Sequence, residues 1–232
     1  MGNINFRPAR KAGSYYRNYK GRDSIILLAL VDASYKFLFI DVGRNGRMND
    51  GAVFRDSPLA AHLYEGNLNL PGPNLLPASN ITVPYVLVAD DAFPLHTNIM
   101  KPYPNRGLTR DERIFNYKLS RARRVVENTF GILANRFRIL LTTIPLGVEK
   151  VELITQTCCV LHNFILNRKP HYWQGNEDMV EGQNLPQLRG VSHQGATNST
   201  HNAKEVREKF KQYFNTVGQV PWQEKSVEQG NF

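Results

Sequence analysis

Apolar residues gather in two close runs near the start of the chain, Ser24 to Ala33 (SIILLALVDA) and Lys36 to Gly43 (KFLFIDVG), separated only by Ser34 and Tyr35. Neither run shows the gaps of a helical face, so the pair predicts a β-hairpin whose strands are mostly buried. Asp50-Gly51 opens a different pattern, in which Val53, Leu59, Ala60, Leu63 and Tyr64 recur at intervals that suit one helix, with Asp50 as its N-cap. Pro71, Gly72, Pro73 and Pro77 forbid a regular element between Gly66 and Pro84, which reads as a long surface loop. Tyr85 to Ala89 (YVLVA) predicts a third buried strand that stops at Asp90-Asp91.

The strongest helical spacing follows, with Leu119, Ala122, Val126, Phe130, Leu133 and Phe137 falling three or four residues apart. A second helix is predicted from Lys150 to Leu166, with Ile154, Cys158, Leu161 and Ile165 on its apolar face. His171 to Ala203 is polar and without period, and Lys204 to Phe214 carries Val206, Phe210 and Phe214 as a short helix. The order of elements predicts a mixed α/β domain with helices on a central sheet. The expected division is a domain over residues 1–168, a flexible linker over 169–203, and a C-terminal helix and tail over 204–232.

Composition narrows the class without naming a function. With 41% hydrophobic and 21% charged residues, the chain has the makeup of a soluble globular protein, which excludes disorder throughout. Its longest aliphatic run, Ile25 to Val31, is far short of the roughly 20 residues that span a bilayer, so no membrane is expected. No secretory signal is visible after Met1, which points to a reducing compartment. Cys158 and Cys159, adjacent in an apolar segment, read as buried small hydrophobes. The net charge of +9 is uneven: residues 101–150 hold 11 Lys/Arg against 4 Asp/Glu, residues 1–50 hold 9 against 4, and residues 51–100 hold 1 against 4. Two basic segments flanking an acidic one suit either a polyanion-binding protein or a plain solvated basic face.

Within that pattern a few residues carry possible chemistry. Asp90, at the end of a strand, suits a metal ligand or a general base, while a turn aspartate is the plainer reading of its position. Glu127 follows the core position Val126 and so lies at the edge of the buried stripe; it is also spaced for an ordinary ion pair with Arg123. Together with Asp50, these carboxylates come from different elements, and Mg²⁺ and Mn²⁺ prefer such oxygen ligands. Two ions about 4 Å apart activate water against a phosphodiester. Arg121, Arg123 and Arg124, with Arg136 and Arg138, are placed to neutralise phosphates. Tyr15, Tyr16, Tyr19 and Lys20 interleave aromatic and basic groups as nucleic-acid surfaces often do. His162, among apolar neighbours, reads as a hydrogen-bonded core histidine, and Asp32 as a hairpin-turn residue.

Eight segments stand in order along the chain: NYKG, LLALVDA, DVGRNGRMNDGAVF, VADDAFPL, MKPYP, RIFNYKLSRARRVVENTFGIL, RFRIL and CCVLHNFI. From about Phe6 to Asn167 this resembles the transposase and transposase-derived nuclease family of PIF/Harbinger DNA elements. The resemblance implies a ribonuclease H-like α/β fold and a DDE endonuclease that cuts DNA with Mg²⁺ or Mn²⁺, located in the nucleus, with the cytoplasm as a second location. On this chain the second catalytic Asp falls on Asp90 and the Glu on Glu127, while a further metal-associated Asp falls on Asp50. Arg121, Arg123 and Arg124 are expected to contact DNA phosphates. Aligning Ile4-Asn5-Phe6 puts the family's first catalytic Asp immediately before Met1, and Met1-Gly2-Asn3 offers no carboxylate in its place. The expectation is a shortened first strand, poor binding of two ions and slow turnover. A separate DNA-binding protein is a further expected partner. The rival reading is a catalytically inactive transposase-derived domain that binds DNA or protein.

Overall fold

Three antiparallel strands, β1 (Gly2–Asn5), β2 (Ser24–Val31) and β3 (Phe37–Asn45), make the largest sheet, in the order β1-β2-β3. The computed structural model describes residues 1–8, 14–169 and 199–229. The predicted hairpin is thus present, closed by a turn in which Asp32 Oδ1 accepts from the backbone N–H of Ser34 and Lys36, and Tyr35 takes φ +64°. Four residues before it, β1, add a third strand that pairs Gly2 with Leu27 and Asn5 with Ser24.

The described residues fall into two compact units, one built from Met1–Pro58 and Val125–Val191, the other from Leu59–Arg124 and Ser192–Phe232. In the first unit the core gathers Ile4, Phe6, Ile25, Leu27 and Phe37 from the strands with Phe130, Leu133, Val151, Cys158 and Cys159 from two helices. These are the last part of α3 (Arg110–Arg136) and α4 (Val148–Arg168). Each fully buried Ile, Leu or Phe contributes about 1.5–3 kcal/mol of transfer free energy. Asn163 on α4 docks the outer strand: its side-chain amide accepts from Phe37 N–H at 2.9 Å and donates to Phe37 C=O at 2.8 Å.

Several expectations are corrected. The predicted helix from Asp50 is two helices, α1 (Asp50–Arg55) and α2 (Pro58–Tyr64). Pro58 lacks an N–H and turns Ser57 away from helical geometry, so the first helix ends before it. The N-cap is Asn49, whose side chain accepts from Ala52 N–H; Asp50 is the first helical residue. The loop before Pro84 contains a small antiparallel pair, β4 (Asn74–Leu75) and β5 (Thr82–Val83). The strand expected over Tyr85 to Ala89 shrinks to β6 (Leu87–Val88), which pairs in parallel with β7 (Ile99–Met100) and stays outside the three-stranded sheet. Tyr85 and Val88 are exposed, so that strand is not the buried one its composition implied.

Helix α3 starts earlier than its apolar spacing shows, at a capping box in which Thr109 N–H donates to Glu112 Oε2 and Glu112 N–H donates to Thr109 Oγ1. Ala122, expected on its buried face, is exposed. On α4 the buried face is Val151, Thr155, Cys158, Cys159, His162 and Leu166, and Leu161 is exposed. The segment expected as a linker lies mainly outside the described residues; its last part, from His201, already belongs to α5 (His201–Phe214). A further helix, α6 (Gln223–Glu228), follows. In the second unit Leu95, Met100, Tyr103, Phe115 and Leu119 form a core with Ala203 and Val206 of α5. Among the described residues no helix is long and apolar enough to cross a membrane.

Candidate functional site

Asp90 follows β6 directly, and its position is fixed by local hydrogen bonds. Its Oδ1 accepts from Ala92 N–H at 3.0 Å, its carbonyl accepts from Phe93 N–H at 3.3 Å, and Ala89 N–H is tied to Met100 C=O at 2.9 Å. The aspartate is half-buried in an Asx turn, which is the turn role that the sequence left open. Pro94 follows at once and keeps the chain from continuing as a strand.

Lys101, which sequence reasoning passed over inside MKPYP, belongs to the same turn. Its side chain is only 6% exposed, and Nζ donates to Asp91 C=O at 2.7 Å. Burial holds its pKa below the usual lysine value, while Asp91 and Asp90 pull it back up and Arg207 adds to the lowering. A cation beside two adjacent aspartates offsets their mutual repulsion. The available signal was a lysine between Met100 and Pro102, a place where a solvated side chain is unusual.

Asp50 stands in the first turn of α1, where the helix N-terminus favours a negative charge, and it is 4% exposed. Glu127 is exposed on α3, one turn beyond Arg123. Arg121 and Arg124 are exposed and Arg123 is half-buried. Arg121 is steadied by Tyr117: its Nη1 donates to the phenol oxygen at 3.1 Å and its guanidinium lies 5.9 Å from the ring centre.

Asp50 and Glu127 belong to the first unit, and Asp90 with Lys101 and the three arginines to the second. A divalent cation needs several oxygens around one point. Among the described residues no group of three or more His, Cys, Asp and Glu side chains is gathered closely enough to hold one.

Comparison with known proteins gives the family. Residues 3–163 match the DDE superfamily endonuclease family, and the chain belongs to it. It is 30% identical over 166 residues to "Putative nuclease HARBI1" of Xenopus laevis, covering 70% of this chain and 44% of that protein. The human protein of the same name is 28% identical over 161 residues, 68% of this chain and 42% of its own length. "Protein ALP1-like" of Arabidopsis thaliana is 28% identical over 146 residues, 62% of this chain and 36% of that protein. The chain thus spans less than half the length of these curated relatives. No solved structure matches it.

Proposed function

We propose that this chain is the DNA-cleaving domain of a Harbinger-type DDE nuclease, hydrolysing phosphodiester bonds in the nucleus on a ribonuclease H-like fold. The family match across residues 3–163 is the observation that carries this reading. Asp90 and Glu127 are the acidic groups on which cleavage depends, and Asp50 orders the segment that opens α1. Arg121, Arg123 and Arg124 hold the DNA backbone by neutralising its phosphates. Lys101 keeps the Asp90-Asp91 turn in place through its bond to Asp91 C=O. Divalent ions would supply water activation in this family's chemistry, with Asp90 and Glu127 as the side chains that would hold them.

The test is conversion of supercoiled plasmid to nicked or linear DNA in Mg²⁺ or Mn²⁺. The expected result is cleavage that falls roughly 100-fold or more in Asp90→Asn and in Glu127→Gln, with DNA affinity retained. Cleavage that persists in either variant would overturn the assignment of that residue. A second reading is a DNA- or protein-binding domain without nuclease activity, favoured by the finding that no group of three or more His, Cys, Asp and Glu side chains is gathered among the described residues. Tight DNA binding without any metal-dependent cleavage by the unmodified chain would establish it.

A further inference from the structure

The segment that joins β1 to β2 ends in a tight, hydrogen-bonded hairpin that holds two tyrosine rings in solvent. Arg17 and Asp23 form an antiparallel bridge, Asn18 N–H donates to Arg22 C=O at 2.8 Å, and Gly21 N–H closes the turn on Asn18 C=O at 2.9 Å. Gly21 takes φ +71°, which permits that turn. The Asn18 side chain is buried; its Oδ1 accepts from the N–H groups of Lys20 and Arg22, and its Nδ2 donates to Ser24 Oγ on β2. Tyr16 anchors the base of the hairpin by packing edge-on against Phe6 of the core, with ring centres 5.0 Å apart. Tyr15 packs edge-on against Tyr16 at 4.9 Å and remains 62% exposed; Tyr19, at the tip, is 59% exposed.

From Ser14 to Arg22 every charged residue is basic, and Asp23 follows at the base of the hairpin. Arg17, Lys20 and Arg22 are exposed, no acidic residue lies between Ser14 and Arg22, and the Lys20 ammonium sits 5.3 Å from the centre of the Tyr19 ring. Beyond Arg22 lies a cleft of about 250 Å³ lined by Arg7, Arg22 and Asp23 with Asn5, Phe6 and Thr143. Asp23, which lines the cleft with these two arginines, has a buried Oδ1 without a hydrogen-bond partner. Rigid exposed rings beside cations match what unpaired nucleotides present: π-faces that a duplex hides in its own stack, exocyclic N–H donors, and phosphates.

We propose that this hairpin is a stacking platform for unpaired bases, so that the protein engages single-stranded DNA through Tyr15 and Tyr19, with Arg17, Lys20, Arg22 and Arg7 along the strand's phosphates. The choice of DNA rests on the nuclease reading above. The hairpin therefore adds a preference for melted or flapped DNA to an otherwise backbone-directed contact.

The experiment is fluorescence anisotropy of a labelled single-stranded oligonucleotide, the same sequence as a duplex, and the RNA counterpart, in EDTA so that no cleavage enters. The purified chain is compared with Tyr15→Ala, Tyr19→Ala and the two phenylalanine replacements, with thermal melts to confirm that each folds. Each alanine variant is expected to weaken single-stranded binding at least about fivefold, with duplex affinity within about twofold, and phenylalanine is expected to restore it. Unchanged single-strand affinity in the alanine variants, or phenylalanine variants as weak as alanine, would overturn the stacking role. Tighter binding of RNA through the same tyrosines would overturn the assignment to DNA. Because the readout is binding without metal, failure of plasmid cleavage leaves it standing, and its own failure leaves the nuclease reading standing.

Discussion

His162 shows how much one side chain can report. It is fully buried on α4, its Nε2 lies 2.8 Å from Tyr35 C=O, and Nδ1 has no hydrogen-bond partner, so the neutral ring with the proton on Nε2 is the form that fits. Burial lowers its pKa below 6.5 and the Arg136 charge adds to this, against the Tyr35 carbonyl. Below pH 6.5 the unfolded chain binds a proton that the folded one refuses, so stability falls as pH drops from 6.5 toward the folded pKa. Urea unfolding at pH 7.5 and 5.5 should show a smaller loss on acidification for His162→Gln than for the unmodified chain. His96, also lowered by burial, contributes alike to both proteins. Equal losses would remove His162 from the account. Single residues of this kind were legible in the sequence where neighbours define them: His162 among apolar residues, Asp32 in a turn, and Cys158 and Cys159 in a buried run. Burial pushes the Cys159 thiol up to about 12. Lys101 was not legible, because its anchor is a backbone carbonyl ten residues away.

At the scale of elements, periodicity announced α3 and α4 but did not fix their faces or ends. The α3 start was written in Thr109-Arg110-Asp111-Glu112, a polar signal that an apolar count ignores. On α4, apolar residues occur all round, and Leu153, Val160, Leu161 and Phe164 are exposed while Thr155 and His162 are buried. Polar side chains that bond to carbonyls, Thr155 to Val151 and His162 to Tyr35, made the observed face possible. How β3 meets α4 gives a prediction. Gly43 has φ +117°, and a Cβ there would run into the Glu152 carboxylate, whose own pKa is raised by burial and by Glu149 and Asp41. Gly43→Ala should cost about 1–3 kcal/mol, against a smaller cost for Gly21→Ala, where φ is also positive but the space is open. Thermal melts of the two variants check this; equal melting temperatures would refute it.

For the whole molecule, the sequence showed a mixed α/β composition but not two units made of interleaved segments. Local spacing says which face is apolar, not which distant stretch covers it, so the cover that Ala203 and Val206 give to Phe115 was out of reach. Net charge was legible, and it carries a testable consequence: replacing Arg121, Arg123 and Arg124 with Gln should weaken duplex binding and flatten its dependence on salt. The slope of log affinity against log salt should fall by about 0.9 for each arginine that sits on a phosphate; an unchanged slope would remove the arginines from the interface. The bond between Asn163 and Phe37 has a consequence of a different order. As an outer strand, β3 is open to pairing with a foreign chain, and at Phe37 one amide occupies both the donor and the acceptor that such pairing needs. Exchange of that amide for a carboxylate would leave acceptor facing acceptor at the Phe37 carbonyl, so the closure of this edge depends on the side chain of Asn163 carrying a donor and an acceptor at once.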